Sequence, residues 1–151
     1  MKNILQKIEK FKDSNKIVMS DEITELTYSQ LITNAQRIGS ALLNVSKRNT
    51  PIAVMLPKST ACLYSFLGVV YSGHFYVVID DQMPLERIEK IFSGLNPVAL
   101  ITNKDYQEKA ESLNVPVYYL EDIFDTEINE VGLQQIRNLS IDTDPLYALY
   151  T

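Results

Sequence analysis

The sequence predicts an α/β fold, with a mostly parallel sheet flanked by helices. Three observations carry this. From Pro51 onward, short apolar runs alternate with segments of helical periodicity. The links between them are short, which requires right-handed crossovers between parallel strands. The apolar runs are unbroken, as suits strands covered on both faces.

Each element has its own justification. Ile4, Leu5, Ile8 and Phe11 are spaced for one helical face, and Asp13-Ser14-Asn15 ends that segment. Ile17-Val18-Met19 and Glu25-Leu26-Thr27 read as a strand and its return across the polar turn Ser20-Asp21-Glu22. Thr27 and Gln30 form a T-x-x-Q capping box, in which each side chain satisfies an orphan backbone N–H. Behind it, Tyr28, Leu31, Ile32, Ala35, Ile38, Leu42 and Val45 hold helical spacing. Pro51–Leu56 is a continuous apolar strand. Ser59 opens a helix that is apolar nearly all round and therefore deeply buried.

The alternation continues. Phe75–Ile79 is a strand, and Pro84 suits the first turn of a helix through Leu85, Ile88, Ile91 and Phe92, with Gly94 as its stop. Pro97–Ile101 is the next strand, and Asn103 is an N-cap for a helix with Tyr106, Ala110 and Leu113 on one face. Val115–Leu120 follows as a strand, and Pro116, which has no N–H to donate, places it at a sheet edge. An acidic stretch from Glu121 carries helical turns around Ile123-Phe124 and Val131–Ile136, and Pro145–Thr151 reads as a last strand.

Composition narrows the function. The chain has 151 residues, which fits one domain over residues 1–151. With 14 Lys and Arg against 19 Asp and Glu, and no basic run, it is not built to hold nucleic acid. Cys62 and His74 are the only residues of their kinds, so disulfide frameworks and multi-histidine metal sites are out. Cysteine usage points to a reducing, cytoplasmic location. No residue from Ser59 to Ile79 carries a fixed charge, but Ser72-Gly73-His74 interrupts the run, so a buried helix, a turn and a strand are expected rather than a membrane span.

Candidate chemistry is sparse. Asp80-Asp81 falls at the C-terminal end of a strand, where open parallel sheets bind ligands, and paired carboxylates there could hold Mg²⁺. The simpler reading is a turn whose acidic groups face a helix start. His74 lies in a helix-to-strand turn with no nucleophile near it in sequence, so it reads as structural. Cys62 reads as a packed, inert thiol. Gly68 and Gly73 do not make a phosphate-binding loop. No catalytic residue and no metal ligand is assigned.

Two segments resemble the adenylate-forming enzymes. Leu26-Thr27-Tyr28-Ser29-Gln30-Leu31 resembles their first core motif, and Phe66–Asp80 resembles their second. Pro84-Leu85-Glu86-Arg87-Ile88 matches the element that commonly follows, and Leu146–Thr151 looks like the strand entering the phosphate-cradling loop. Val78, Tyr71-Ser72 and Asp81 depart from the common pattern at structural positions, and Gly73-His74 is similar to D-alanine–carrier-protein ligases. The resemblance implies an N-terminal piece of the large subdomain of a ligase. Such a ligase uses ATP and Mg²⁺ to convert a carboxylate to acyl-AMP, then passes it to CoA or a carrier's phosphopantetheine thiol.

Carried over by position, the resemblance implies one binding residue, Thr151, as the first of the ATP-phosphate loop, with Tyr28 packing a helix and Gly73 serving a tight turn. An apolar strand running to the last residue leads to the expectation of a fragment. Such a fragment is inactive alone, binds no cofactor tightly, partners the remainder of its parent, and self-associates through uncovered sheet. The contrasting expectation is a stand-alone, non-catalytic α/β binding or interaction module.

Overall fold

A computed structural model describes residues 3–150. Five strands form one parallel sheet: β3 (Pro51–Met55), β4 (Phe75–Ile79), β5 (Ala99–Thr102), β6 (Val117–Tyr119) and β7 (Tyr147–Ala148), in the order β6-β5-β3-β4-β7. A separate antiparallel hairpin pairs β1 (Ile17–Ser20) with β2 (Glu25–Thr27). The helices are α1 (Leu5–Ile8), α2 (Tyr28–Ala41), α3 (Thr60–Tyr71), α4 (Leu85–Leu95), α5 (Gln107–Glu111), α6 (Leu120–Ile123) and α7 (Glu130–Leu139).

Strand alternation sorts the core onto two faces. Ile52 and Val54 of β3 join Ala99 and Ile101 of β5 under α1, α2, α3, α6 and α7. Ala53 and Met55, with Val77, Ile79 and Leu100, pack under α4 and α5. Ile52, Ala53, Val54 and Met55 are at most 1% exposed, so β3 is the centre of the domain. Each large side chain buried this way stabilises the fold by about 1.5–3 kcal/mol before entropy is counted.

The capping box forms as the sequence predicts: Gln30 N–H donates to Thr27 Oγ1 at 3.2 Å and Thr27 N–H donates to Gln30 Oε1 at 3.0 Å. β6 is an edge strand, and Pro116, just before it, serves as acceptor only, taking Leu100 N–H at 2.9 Å. The expected last strand enters the sheet only as Tyr147–Ala148, with Tyr76 opposite Tyr147 and Val77 opposite Ala148; Pro145, Leu146, Leu149 and Tyr150 lie outside the strand.

Several boundaries differ from the sequence reading. α2 ends at Ala41, so Val45 lies in the following turns and only packs against the core from there. Gly94 does not stop α4; the helix runs to Leu95, and Asn96 takes the left-handed conformation at φ 49°. Asn can adopt that conformation because its short polar side chain tolerates it. Pro84 sits at the N-cap, one residue before the first turn. Asn103 caps a 3-10 turn, Lys104–Tyr106, ahead of α5. Leu120 begins α6 rather than ending β6. No helix among the described residues is long and apolar enough to cross a membrane.

Candidate functional site

All five strands of the large sheet end on one rim. The chain winds from β3 to β4 on one side, then crosses back to β5 on the other, so the winding reverses between β3 and β5. Ligands in open parallel sheets bind in the crevice at such a reversal. Here an open crevice of about 510 Å³ is lined by Leu56, Lys58, Ser59, Tyr64, Asn103 and the β1–β2 turn.

The start of α3 opens into this crevice, where free backbone N–H groups would attract an anion. Ser59 stands at the N-cap but does not cap; its hydroxyl donates to Pro57 O at 2.9 Å instead. The cap comes from the hairpin. Asp21 Oδ2 accepts Thr60 N–H at 2.9 Å, while Oδ1 accepts from the Ile23 and Thr24 N–H groups at 2.9 and 2.7 Å. These bonds, that of Thr60 first, hold the Asp21 carboxyl below its usual range. An internal carboxylate thus occupies the position an anionic ligand would seek.

The acidic pair beyond β4 is also committed to structure. Asp80 Oδ1 accepts Gln82 N–H at 2.9 Å, closing a turn. Asp81 Oδ2 accepts from Tyr106 Oη and from Gln82 Nε2. Lys109 Nζ donates to the carbonyls of Asp81 and Met83 at 3.0 and 2.8 Å. Burial pushes the Asp81 carboxyl up, but the Tyr106 and Gln82 bonds and the Lys109 charge outweigh it and leave the group lowered. The same bond, with partial burial, pushes the Tyr106 hydroxyl up to about 12. The cluster ties the β4–α4 turn to α5. No group of three His, Cys, Asp or Glu among the described residues is placed to hold a metal ion.

Cys62 and His74 are packed as the sequence suggests. The Cys62 thiol donates to Pro57 O at 3.1 Å, and burial pushes its pKa up, away from the reactive thiolate. His74 is 3% exposed and pairs with Ser72 rather than with any nucleophile. Gly73 takes φ 83° in the turn after α3, where a side chain would be strained. Tyr28 opens α2 and packs against Phe11, the two rings tilted by 30° with centroids 4.9 Å apart.

Thr151, the predicted binding residue, lies outside the described residues. β7 runs parallel to β4, so the chain reaching Tyr150 arrives at the same rim as Asp80-Asp81. The residues that sequence reading missed are Asp21, Tyr106 and Lys109. An Asp-x-x-Thr turn was the one visible signal for Asp21. Its bond to α3, across 39 positions, had none.

A profile of the AMP-binding enzyme family matches residues 6–151. The chain belongs to that family. The D-alanine–D-alanyl carrier protein ligase of Listeria welshimeri is 34% identical over 104 residues, covering 68% of this chain and 20% of that protein. The protein of the same name from Staphylococcus aureus is 28% identical over 153 residues, covering 100% of this chain and 30% of that protein. The chain therefore spans 20% to 30% of the length of these curated relatives. Among solved structures, holo-AB3403, a four-domain nonribosomal peptide synthetase bound to AMP and glycine, superposes with a TM-score of 0.78. It is 20% identical, and the match covers 99% of this chain and 11% of that one. That likeness establishes the fold. The two segments that resemble the family's core motifs fall on the capping box of α2 and on the α3–β4 turn.

Proposed function

We propose that this chain forms the N-terminal α/β part of an ATP-dependent ligase. That ligase activates an amino-acid carboxylate as acyl-AMP and passes it to the phosphopantetheine thiol of a carrier protein. The observation carrying this reading is the match to the D-alanine–D-alanyl carrier protein ligases across the whole chain. D-alanine is the amino acid to test first, and a carrier is favoured over CoA as the acceptor on the same ground.

Residues 3–150 do not fit ATP or Mg²⁺. The α3 start is filled by Asp21, the Asp80-Asp81 pair is bonded to Gln82 and Tyr106, and no metal-ligating group of three is present among the described residues. No chemical step is therefore assigned to them. We place the nucleotide contacts in polypeptide that begins at Thr151 and continues beyond it, with a cytoplasmic site of action. The role of this chain is to bring β7 to the rim in line with β4. By itself it is inactive. Tyr147, Leu149 and Tyr150 leave exposed apolar surface at the β7 edge, which supports self-association of the isolated chain.

Amino-acid-dependent ATP–pyrophosphate exchange tests the reading. The polypeptide encoded when the reading frame continues past Thr151 should exchange with D-alanine in preference to L-alanine or glycine. The 151-residue chain should show none. A stop codon directly after Thr151, or exchange by this chain alone, would refute the proposal.

A further inference from the structure

β6 ends the sheet on the side away from β7, and its outer edge has no strand beside it. Proteins usually blunt such an edge with a lysine, a proline or a covering element, because its free N–H and C=O groups are a template for another strand. β6 is Val117-Tyr118-Tyr119, β-branched and aromatic, with no charge. Pro116 does not blunt it. Its carbonyl accepts Leu100 N–H at 2.9 Å, so its backbone faces β5 and the donor it lacks is an inner one. Backbone groups of successive residues point to opposite sides of an extended strand. Val117, opposite Leu100 in the ladder, therefore turns its N–H and C=O outward, and so does the N–H of Tyr119. The Tyr119 carbonyl is taken up by α6, which Tyr119 caps.

A groove of about 320 Å³ lies between this edge, the end of α2 and α6. Ala41, Val117, Tyr118 and Ile123 give it apolar walls, and Asp122 and Thr126 give it polar ones. Its surroundings are acidic. Glu121, Asp122, Asp125 and Glu127 are exposed, and Asp125 and Glu127 flank Thr126 in sequence. Two cations sit among them, and both are engaged: Lys104 pairs with Asp122 at 2.9 Å, and Arg37 donates to Phe124 O at 2.8 Å. Asp125 and Glu127 take part in no ion pair among the described residues. Burial pushes the Tyr119 hydroxyl up, and the Glu111, Asp122 and Glu121 charges push it further against Lys104 alone.

These charges select the occupant. A second copy paired edge to edge would set the same carboxylates against one another, and like charges across strands repel. A basic strand meets them with opposite charge. We propose that β6 docks an extended peptide segment rich in lysine or arginine by strand addition, its backbone bonding Val117 and Tyr119, its apolar side chains entering the groove beside Ala41 and Ile123, and its cations facing Asp122, Asp125 and Glu127. Backbone bonds supply the affinity in this mode and the side-chain pockets supply the selectivity. A strand of three residues offers few such bonds, so a Kd of about 0.1–1 mM is expected for a short peptide. The edge is remote from the rim at β7, and its test does not depend on the ligase reading.

The full 151-residue chain, ¹⁵N-labelled, is titrated with a capped hexapeptide of alternating lysine and valine at constant ionic strength. A hexapeptide of alternating glutamate and valine is the control. The expected result is a saturable shift of the Val117 and Tyr119 amides with the basic peptide and none with the acidic one. Val117→Pro removes an outward donor and leaves the bonds to β5 in place, so binding should weaken about tenfold or more, with the fold read from unshifted Ala53 and Val54 amides in β3. Asp125→Asn combined with Glu127→Gln, both exposed and unpaired, should weaken it about three- to tenfold whether or not the proline variant folds. The proposal is overturned by unsaturable shifts, by equal binding of the acidic peptide, by shifts that centre on Tyr147 and Ala148 instead, or by a folded Val117→Pro chain that binds as the parent does. Shifts of Val117 and Tyr119 that follow protein concentration without peptide would identify a second copy as the occupant and overturn it as well.

Discussion

Gly68→Ala is expected to destabilise this chain although it replaces the poorer helix former with the best. A Cβ added at Gly68 in α3 would stand 2.5 Å from Cβ and Cγ2 of Ile38 in α2, and 3.1 Å from Ala35 O. Carbon atoms pack best at about 3.5–4.0 Å, so the intrusion is roughly 1 Å. Ile38 Cβ is fixed to its backbone and cannot rotate away, so the helices must separate. Overpacking of this kind costs about 1–3 kcal/mol, and the upper end applies to a contact with a backbone-anchored atom. Helix propensity returns about 1 kcal/mol. The net loss is therefore about 2 kcal/mol. For a chain of this length that corresponds to a fall in Tm of about 4–8 °C.

Gly94→Ala is the control. Gly94 lies inside α4, and the nearest atom to an added Cβ is Tyr150 Oη at 4.0 Å. There the propensity gain stands alone, and Tm should rise by about 2–4 °C. Calorimetry or urea unfolding followed by circular dichroism reads both variants. A Gly68→Ala chain as stable as the parent would refute the close α2–α3 packing. A destabilised Gly94→Ala chain would refute the helical place given to Gly94.

Asp21→Ala removes the cap of α3 and the hairpin turn together, and the urea midpoint should fall; the Asp21 contribution is present above its ordinary pKa of 3.8 and is lost as pH falls through the lowered folded value. Glu9 accepts from Arg137 Nη2 at 2.7 Å and from Tyr71 Oη at 2.8 Å. Burial pushes its pKa up, but those bonds and the Arg137 charge leave it below 4.5. Glu9→Gln should cost about 1–2 kcal/mol at neutral pH in thermal melts, with the difference from the parent shrinking as pH falls below 4.5. His74 has a folded pKa below 6.5, chiefly through burial, so the unfolded chain binds its proton first. Stability should be full above pH 6.5 and decline as pH drops toward the folded value, and melts of His74→Gln should lack that part of the decline.

Local chemistry was legible and long-range contact was not. The Thr27–Gln30 box, the five parallel strands and the edge place of β6 rest on residues that act on their immediate neighbours or on the pleat they share. Helix ends were misplaced where two residues compete. Leu42 closes α2 before Val45 because the chain turns there, and Asn96 rather than Gly94 takes the left-handed position. The rim gave the least warning. Ser59 reads as the start of α3, but the side chain that caps the helix is Asp21, from a different element. Asp80-Asp81 reads as a turn with its acidic groups toward a helix start, but nothing in that reading points to Tyr106, 25 positions beyond Asp81, as the partner of Asp81. No local spacing encodes either partnership.

The proposal's central claim is that the nucleotide contacts of this member of the AMP-binding enzymes lie outside residues 3–150. Calorimetric titration of ATP with Mg²⁺ into the 151-residue chain tests it most directly. The account predicts no saturable heat. A saturable isotherm with a micromolar Kd would contradict it.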